Sequence, residues 1–251
     1  AIRYPEVLRK AVINAGQGIS LSSSAWLDLS EEITEVQAQA ALACDPNHEA
    51  EIVGCHGQTV WHRPPCDGQR GASWQLLQGS LLAKLLNRPV IYDFRSSDLA
   101  HGGHGAPLLP LLDEALLGRT FGWRGVLNLG GIANITLLPP REGPERTSSV
   151  LGWDSGPANT LIDLAMQKIS NGHLSCDWNG SIALSGKPHW PSIERWLKEP
   201  FFKTPPPKST GREHFGLDDL ERRMSELNFL SFANLIATIT TFTVEVIVQD
   251  L

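Results

Sequence analysis

Cysteine is scarce. Cys44, Cys55, Cys66 and Cys176 are the only four in 251 residues, and no two stand in a C-x-x-C spacing. That pattern builds neither a disulfide framework nor a zinc ribbon, and reduced thiols in a cytosolic protein are the expected state. Positive charge is also short: 21 Lys and Arg against 27 Asp and Glu leave a formal net charge of −6. The chain therefore has no general attraction to nucleic acid or an anionic membrane, and any phosphate must be held locally. No G-x-S-x-G elbow and no G-x-x-x-x-G-K-[ST] loop occurs, which removes two common routes to nucleophilic and nucleotide chemistry. The opening AIRYPEVLRK carries neither Met nor an apolar signal core. The run LSFANLIATITTFTVEVIVQDL (230–251) approaches the length of a membrane span. It holds Asn234, Glu245, Gln249 and several threonines, so it predicts a buried helix.

What is present suits a packed protein. Hydrophobic residues make up 41% of the chain and charged ones 19%, enough for a core and too apolar for disorder. Its length fits two modest lobes or one large α/β unit. Apolar spacing predicts helices over 5–15, 24–43 and 80–87, with a further one in PLLPLLDEALLGR. EIVGC (51–55), SWQLL (73–77) and PVIYDF (89–94) read as strands, and their alternation with helices predicts parallel pairing. Past residue 120 the pattern restarts. GVLNLGGIANITLLPP predicts two strands joined at Gly130-Gly131, and VLGWD (150–154) the next strand. SGPANTLIDLAMQKI then reads as a helix with Ser155 as N-cap and Pro157 in its first turn. The natural division is a first part over 1–120 and a second over 121–251.

Several stretches carry chemistry. A lone acid, Asp154, precedes the predicted helix, where the partly positive N-terminus would hold a carboxylate ionised. NLGGIAN (128–134) is either an ordinary tight hairpin or a cradle whose glycines let backbone N–H groups approach an anion. DFRSSD (93–98) sets Asp93, Arg95 and Asp98 at a strand end, as an ion pair or as a clamp for a carboxylate. HGQTVWH and HGGHG offer His56, His62, His101 and His104 for a metal with Asp93 or Asp98. They lack H-E-x-x-H spacing. Gln58 and Thr59 suit a polar, uncharged ligand such as a sugar better. KSTGREHF (208–215) reads as a rigid interface loop.

Taken in order, GCHGQTVWHRP, PVIYDFRSSDLAHGGHGAPLLP, VLNLGGIANITLL, GWDSGPANTLID and PKSTGREHF resemble the anhydro-N-acetylmuramic acid kinase family across nearly the whole chain. The resemblance implies an α/β fold, two ribonuclease-H-like lobes of the actin-like ATPase superfamily around a cleft, each incomplete in this chain. It implies ATP-dependent conversion of 1,6-anhydro-N-acetylmuramic acid to N-acetylmuramic acid 6-phosphate in peptidoglycan recycling, with Mg²⁺ bridging the phosphates. By match to the family's G-x-D-T-G-P-G-N, Asp154 is the base that activates water, and Arg95 helps to orient it and the substrate. His56, Gln58, Thr59, Asp98, Gly105 and Asn159 would bind the sugar. Asn128, Gly130, Gly131, Asn134 and Gly156 would face the nucleotide phosphates.

Two positions depart from that motif, Ser155 for Thr and Ala158 for Gly. The family's G-T-S-x-D-G-x-D stretch does not occur in the 251 residues. Both ends read as cut, and little activity is expected of the chain alone. A cytoplasmic protein is expected, with small-molecule partners only and a homodimer carried over from relatives. A non-catalytic sugar-binding remnant and a histidine-based metal hydrolase stay open as alternatives.

Overall fold

A computed structural model describes residues 2–65 and 68–251. Cys66 lies outside them. Among the described residues Cys44, Cys55 and Cys176 are free thiols. The chain separates into two compact units, Ala1–Gly105 and Ala106–Leu251.

In the first unit, α1 (Glu6–Gly16) and α2 (Ser23–Cys44) pack a shared apolar face. Ser22 starts α2 by accepting the Ala25 N–H at 3.2 Å, a side-chain cap for an otherwise unpaired donor. Leu8, Ala15, Leu29 and Ile33 close on Val60 and Leu76. The short β1 (Val53–Gly54) leads through Gly57 into a hairpin of β2 (Gln58–Arg63) and β3 (Ala72–Leu76). After it come α3 (Gly79–Leu86), β4 (Val90–Ile91) and α4 (Ser96–Ala100). β1 and β4 pair in parallel, as the alternating pattern predicts. β2 and β3 do not: they are antiparallel, and β2 begins at Gln58, directly after Gly57. Gly57 makes that possible at φ +74, because a Cβ there would lie 2.9 Å from the Leu76 carbonyl oxygen.

The second unit opens with α5 (Pro110–Leu117). The break before it falls after Gly105, not near residue 120, because α5 is tied to the sheet that follows. Arg124 donates to the Leu117 carbonyl at 2.7 Å and Arg141 to the Ala115 carbonyl at 2.9 Å. That sheet is β5 (Arg124–Leu129), β6 (Ile132–Leu138) and β7 (Leu151–Pro157), antiparallel in that order. Helices α6 (Asn159–Ile169), α7 (Ser181–Ser185), α8 (Trp190–Trp196), α9 (Pro200–Lys203), α10 (Leu217–Glu226) and α11 (Phe232–Asp250) follow. Leu161, Met166, Trp196, Phe215, Ile239 and Phe242 lie in their common core.

Helix α11 is long and apolar enough to cross a membrane by length and composition. It nevertheless buries Leu235, Ile236, Ile239, Phe242 and Val246 in that core. One of its threonines, Thr238, is bonded twice: it accepts the His189 N–H at 3.0 Å and donates to the Asn234 carbonyl at 2.6 Å.

The start of α6 corrects an expectation. β7 continues pairing through Pro157, which stands opposite Ile132, so Ser155 and Pro157 belong to the strand and Ala158 precedes the helix. Asp154 is therefore a strand residue, five positions before α6 begins, and the helix N-terminus is not what surrounds it.

Candidate functional site

In the second unit the strand register builds the site. Asn128 stands opposite Asn134, and Asn134 opposite Asp154, so the three side chains form one cross-strand row on one sheet face. The ladder then slips. Ala133 pairs with Gly156, leaving Ser155 as the extra residue of a β-bulge immediately after Asp154. Bulges of this kind bend a strand and re-aim its neighbours.

Asp154 is buried, with 5% of its surface exposed. Its N–H donates to the Lys208 carbonyl at 2.9 Å. One carboxylate oxygen, Oδ2, accepts from Ser209 Oγ at 3.0 Å and from the Thr210 N–H at 2.9 Å. The stretch expected to be an interface loop is thus the partner that orients the acid. Nearby Glu213 has its carboxyl pushed above the ordinary range, first by burial and then by the negative charge of Asp154.

The hairpin tip is pinned by the start of α6. The Gly130 carbonyl accepts from the Asn159 N–H at 3.1 Å, and the Gly131 carbonyl from Ala158 and Thr160 at 2.9 and 3.0 Å. Asn159 Nδ2 adds bonds to the Leu129 and Gly130 carbonyls at 3.1 and 3.0 Å. Neither glycine has a positive φ. Gly131 is there for close approach, since a Cβ would lie 2.6 Å from Thr160 Oγ1. The N–H groups of Gly130 and Gly131 make no backbone hydrogen bond outside the strands among the described residues. Ser155 Oγ and Thr160 Oγ1 are buried without partners. These unspent donors and hydroxyls fit phosphate oxygens.

In the first unit a polar face forms around β2 and β3. Thr59 pairs with Gln75, and His62 with Ser73, with Val60 as an irregularity between Thr59 and Trp61. That slip puts Thr59 and His62 on the same face although they are three residues apart, where alternation would separate them. Gln75 Nε2 donates to Ser73 Oγ at 2.7 Å and to Thr59 Oγ1 at 3.3 Å, and His62 Nδ1 lies 3.1 Å from Ser73 Oγ. Arg95 bridges the Gly105 carbonyl, through Nη1, and His56 Nε2, at 3.2 Å from Nη2. A guanidinium only donates, so His56 Nε2 accepts and its proton sits on Nδ1. Burial, and then the charge of Arg95, hold the His56 pKa below its ordinary value. Burial, Arg95 and His104 push His62 down to about 4. Asp98 Oδ2 accepts the Gly105 N–H at 2.7 Å and so fixes the glycine-rich loop. Gln58 Oε1 accepts from the Tyr4 hydroxyl at 3.5 Å.

Three of the histidines have separate hydrogen-bond partners. His56 meets Arg95, His62 meets Ser73, and His101 meets the Ser97 carbonyl at 2.7 Å. Among the described residues no three His, Cys, Asp or Glu side chains could hold one metal ion. A surface cavity of about 230 Å³, lined by Glu194, Leu197, Lys198, Lys203 and Gln249, includes none of the candidate residues.

Compared with known proteins, the whole chain, residues 1–251, matches the family model described as anhydro-N-acetylmuramic acid kinase. The chain belongs to the anhydro-N-acetylmuramic acid kinase family. It is 68% identical over 248 residues to the anhydro-N-acetylmuramic acid kinase of Prochlorococcus marinus (strain MIT 9303), covering 99% of this chain and 65% of that protein. The protein of the same name from P. marinus (strain MIT 9313) is 67% identical over 250 residues, covering 100% of this chain and 66% of that protein. That from Synechococcus sp. (strain CC9902) is 59% identical over 249 residues, with shares of 99% and 66%. The chain thus spans about 65% of the length of these curated relatives.

Against the motif of the anhydro-N-acetylmuramic acid kinase family, the two departures have local explanations. Ala158 is buried, and its methyl packs with Ala133 and Ile247. Ser155 keeps the hydroxyl that Thr would supply. Sequence reasoning missed Ser209 and Thr210 as partners of Asp154, and Ser73 and Gln75 on the polar face. The PKST within PKSTGREHF was the available signal for the first pair; nothing local marked the second.

Proposed function

We propose that this chain carries the water-activating and sugar-handling parts of a kinase that converts 1,6-anhydro-N-acetylmuramic acid and ATP to N-acetylmuramic acid 6-phosphate and ADP. The observation that carries the proposal is Asp154, set beside Asn134 by the sheet register and oriented through Oδ2 by Ser209 and Thr210. In this reading Asp154 takes a proton from water as the water oxygen bonds to C1 of the sugar. The C1–O6 bond breaks, and O6 forms its new bond to the γ-phosphorus while ADP leaves. A positioned general base contributes about 10²–10⁴-fold.

Gly130, Gly131, Ser155 and Thr160 are the groups proposed to receive phosphate oxygens, with Asn128, Asn134 and Gly156 alongside. Arg95, His56, Gln58, Thr59, Asp98, Gly105 and Asn159 are proposed for the sugar and for holding its surroundings. A neutral His56 that offers Nδ1–H suits a hydroxyl or carbonyl acceptor. Mg²⁺ neutralises phosphate charge in phosphoryl transfer when bound. No residue here is assigned as its ligand. The two units as incomplete ribonuclease-H-like lobes, a cytoplasmic site in peptidoglycan recycling and a homodimer complete the proposal, and they rest on family resemblance.

Calorimetry with 1,6-anhydro-N-acetylmuramic acid tests the sugar half: saturable binding to the 251-residue chain is expected, and its absence defeats the reading. Coupled ADP release tests the rest. Low turnover is expected from this chain, and high turnover after extension to the full length of its relatives. Asp154→Asn should abolish that turnover while sugar binding survives. Sugar binding with no ATP-dependent turnover in the extended chain would favour a non-catalytic remnant.

A further inference from the structure

Beside Asp154 lies a buried ion pair that the proposed chemistry does not use. Lys208 Nζ is 3.2 Å from Asp250 Oδ1, with 4% and 12% of the two side chains exposed. The other oxygen, Asp250 Oδ2, accepts from Trp153 Nε1 at 3.0 Å. The ammonium also lies 5.1 Å from the centre of the Phe201 ring. One carboxylate at the end of α11 thus grips two segments at once. Trp153 immediately precedes Asp154. Lys208 immediately precedes Ser209 and Thr210, the two donors on Asp154 Oδ2. The circuit closes through the bond from the Asp154 N–H to the Lys208 carbonyl at 2.9 Å.

Desolvating both charges offsets much of what such a pair gains, so a buried salt bridge is weak as a source of net stability. Its geometric effect is specific. We infer that Lys208 and Asp250 are positioning residues, whose pairing holds the 208–210 segment against β7 so that Ser209 and Thr210 fix the orientation of the Asp154 carboxylate. The functional meaning rests on the reading of Asp154 as the base; the clamp is a claim about geometry alone. With the pair removed, the Thr210 N–H and the Ser209 hydroxyl move off Oδ2. The β5–β6 ladder, whose hydrogen bonds involve neither residue, stays as it is.

Amide hydrogen exchange followed by NMR on the 251-residue chain tests this, comparing wild type with Asp250→Asn and with the double variant Lys208→Met/Asp250→Asn. The double variant neutralises both charges at similar shape and leaves no buried charge unpaired, so it keeps the fold where the single variant strains it. Expected in both is exchange at Thr210 and Asp154 on the order of tenfold faster, with the β5 amides unchanged. Uniform acceleration across the sheet would make the pair merely structural and overturn the inference. Wild-type exchange at Thr210 in the double variant would overturn it too. Failure of the kinase reading shows separately, in the sugar titration, which these exchange rates do not enter.

Discussion

Single residues make the sharpest predictions. Arg95 spans two acceptors with one planar fork, which a lysine cannot copy. Arg95→Lys should therefore release either Gly105 or His56 and weaken sugar affinity about tenfold or more, read by calorimetry. Ala158→Gly, which restores the family residue, should destabilise by about 1 kcal/mol in chemical denaturation, because it removes a buried methyl that packs with Ala133 and Ile247. His62 gives a pH dependence. Its folded pKa of about 4 lies below the ordinary 6.5, so the unfolded chain binds a proton that the folded ring refuses. Stability is present above about pH 6.5, falls as pH drops toward about 4, and levels below that. The loss is about 1–2 kcal/mol once solvent screening is allowed for. Thermal melts of His62→Gln across this range should show a flatter profile than wild type. At this scale the sequence showed the residue types well: DFRSSD and GWDSGPANT hold Arg95 and Asp154. It hid their partners, because Ser209 and Thr210 are 55 and 56 positions from Asp154 and no local pattern records a long-range hydrogen bond.

Elements were legible where apolar spacing is long and regular. Helices α1, α2, α3 and α11 and the β5–β6 hairpin fall close to their predicted limits. What was illegible is irregularity within strands. Period-two alternation puts Thr59 and Trp61 on one face and His62 on the other, and a single slip at Val60 rearranges them. Likewise the apolar and small residues after Asp154 suggested a helix start, while pairing to β6 carries the strand on to Pro157. Glycine at 156 serves that continuation: φ is +151, and a Cβ would lie 2.8 Å from Val246 Cγ1 and 2.9 Å from Phe202 Cε1. Gly156→Ala should cost about 2–3 kcal/mol in denaturant melts, from crowding and backbone strain together.

For the molecule as a whole, composition pointed to a packed protein without broad positive charge, in which any phosphate must be held locally, and Ser155 Oγ and Thr160 Oγ1 near the hairpin tip are buried without partners. The division into units was less legible. α5 reads as the end of the first half, yet its bonds to Arg124 and Arg141 and the packing of Pro110 against Gly152 join it to the second. Two cores imply that unfolding need not be a single event, and one feature supplies a way to watch them apart. The indoles of Trp26 and Trp74 in the first unit have ring centres 4.6 Å apart, tilted by 40°. Transition dipoles that close and skewed couple, splitting the ultraviolet circular dichroism band into a pair of opposite sign. Trp196 instead faces Phe242 and the Arg223 guanidinium in the second unit. Loss of that couplet on heating therefore dates the collapse of the first unit alone, and Trp74→Phe should erase it without touching the melting of the second.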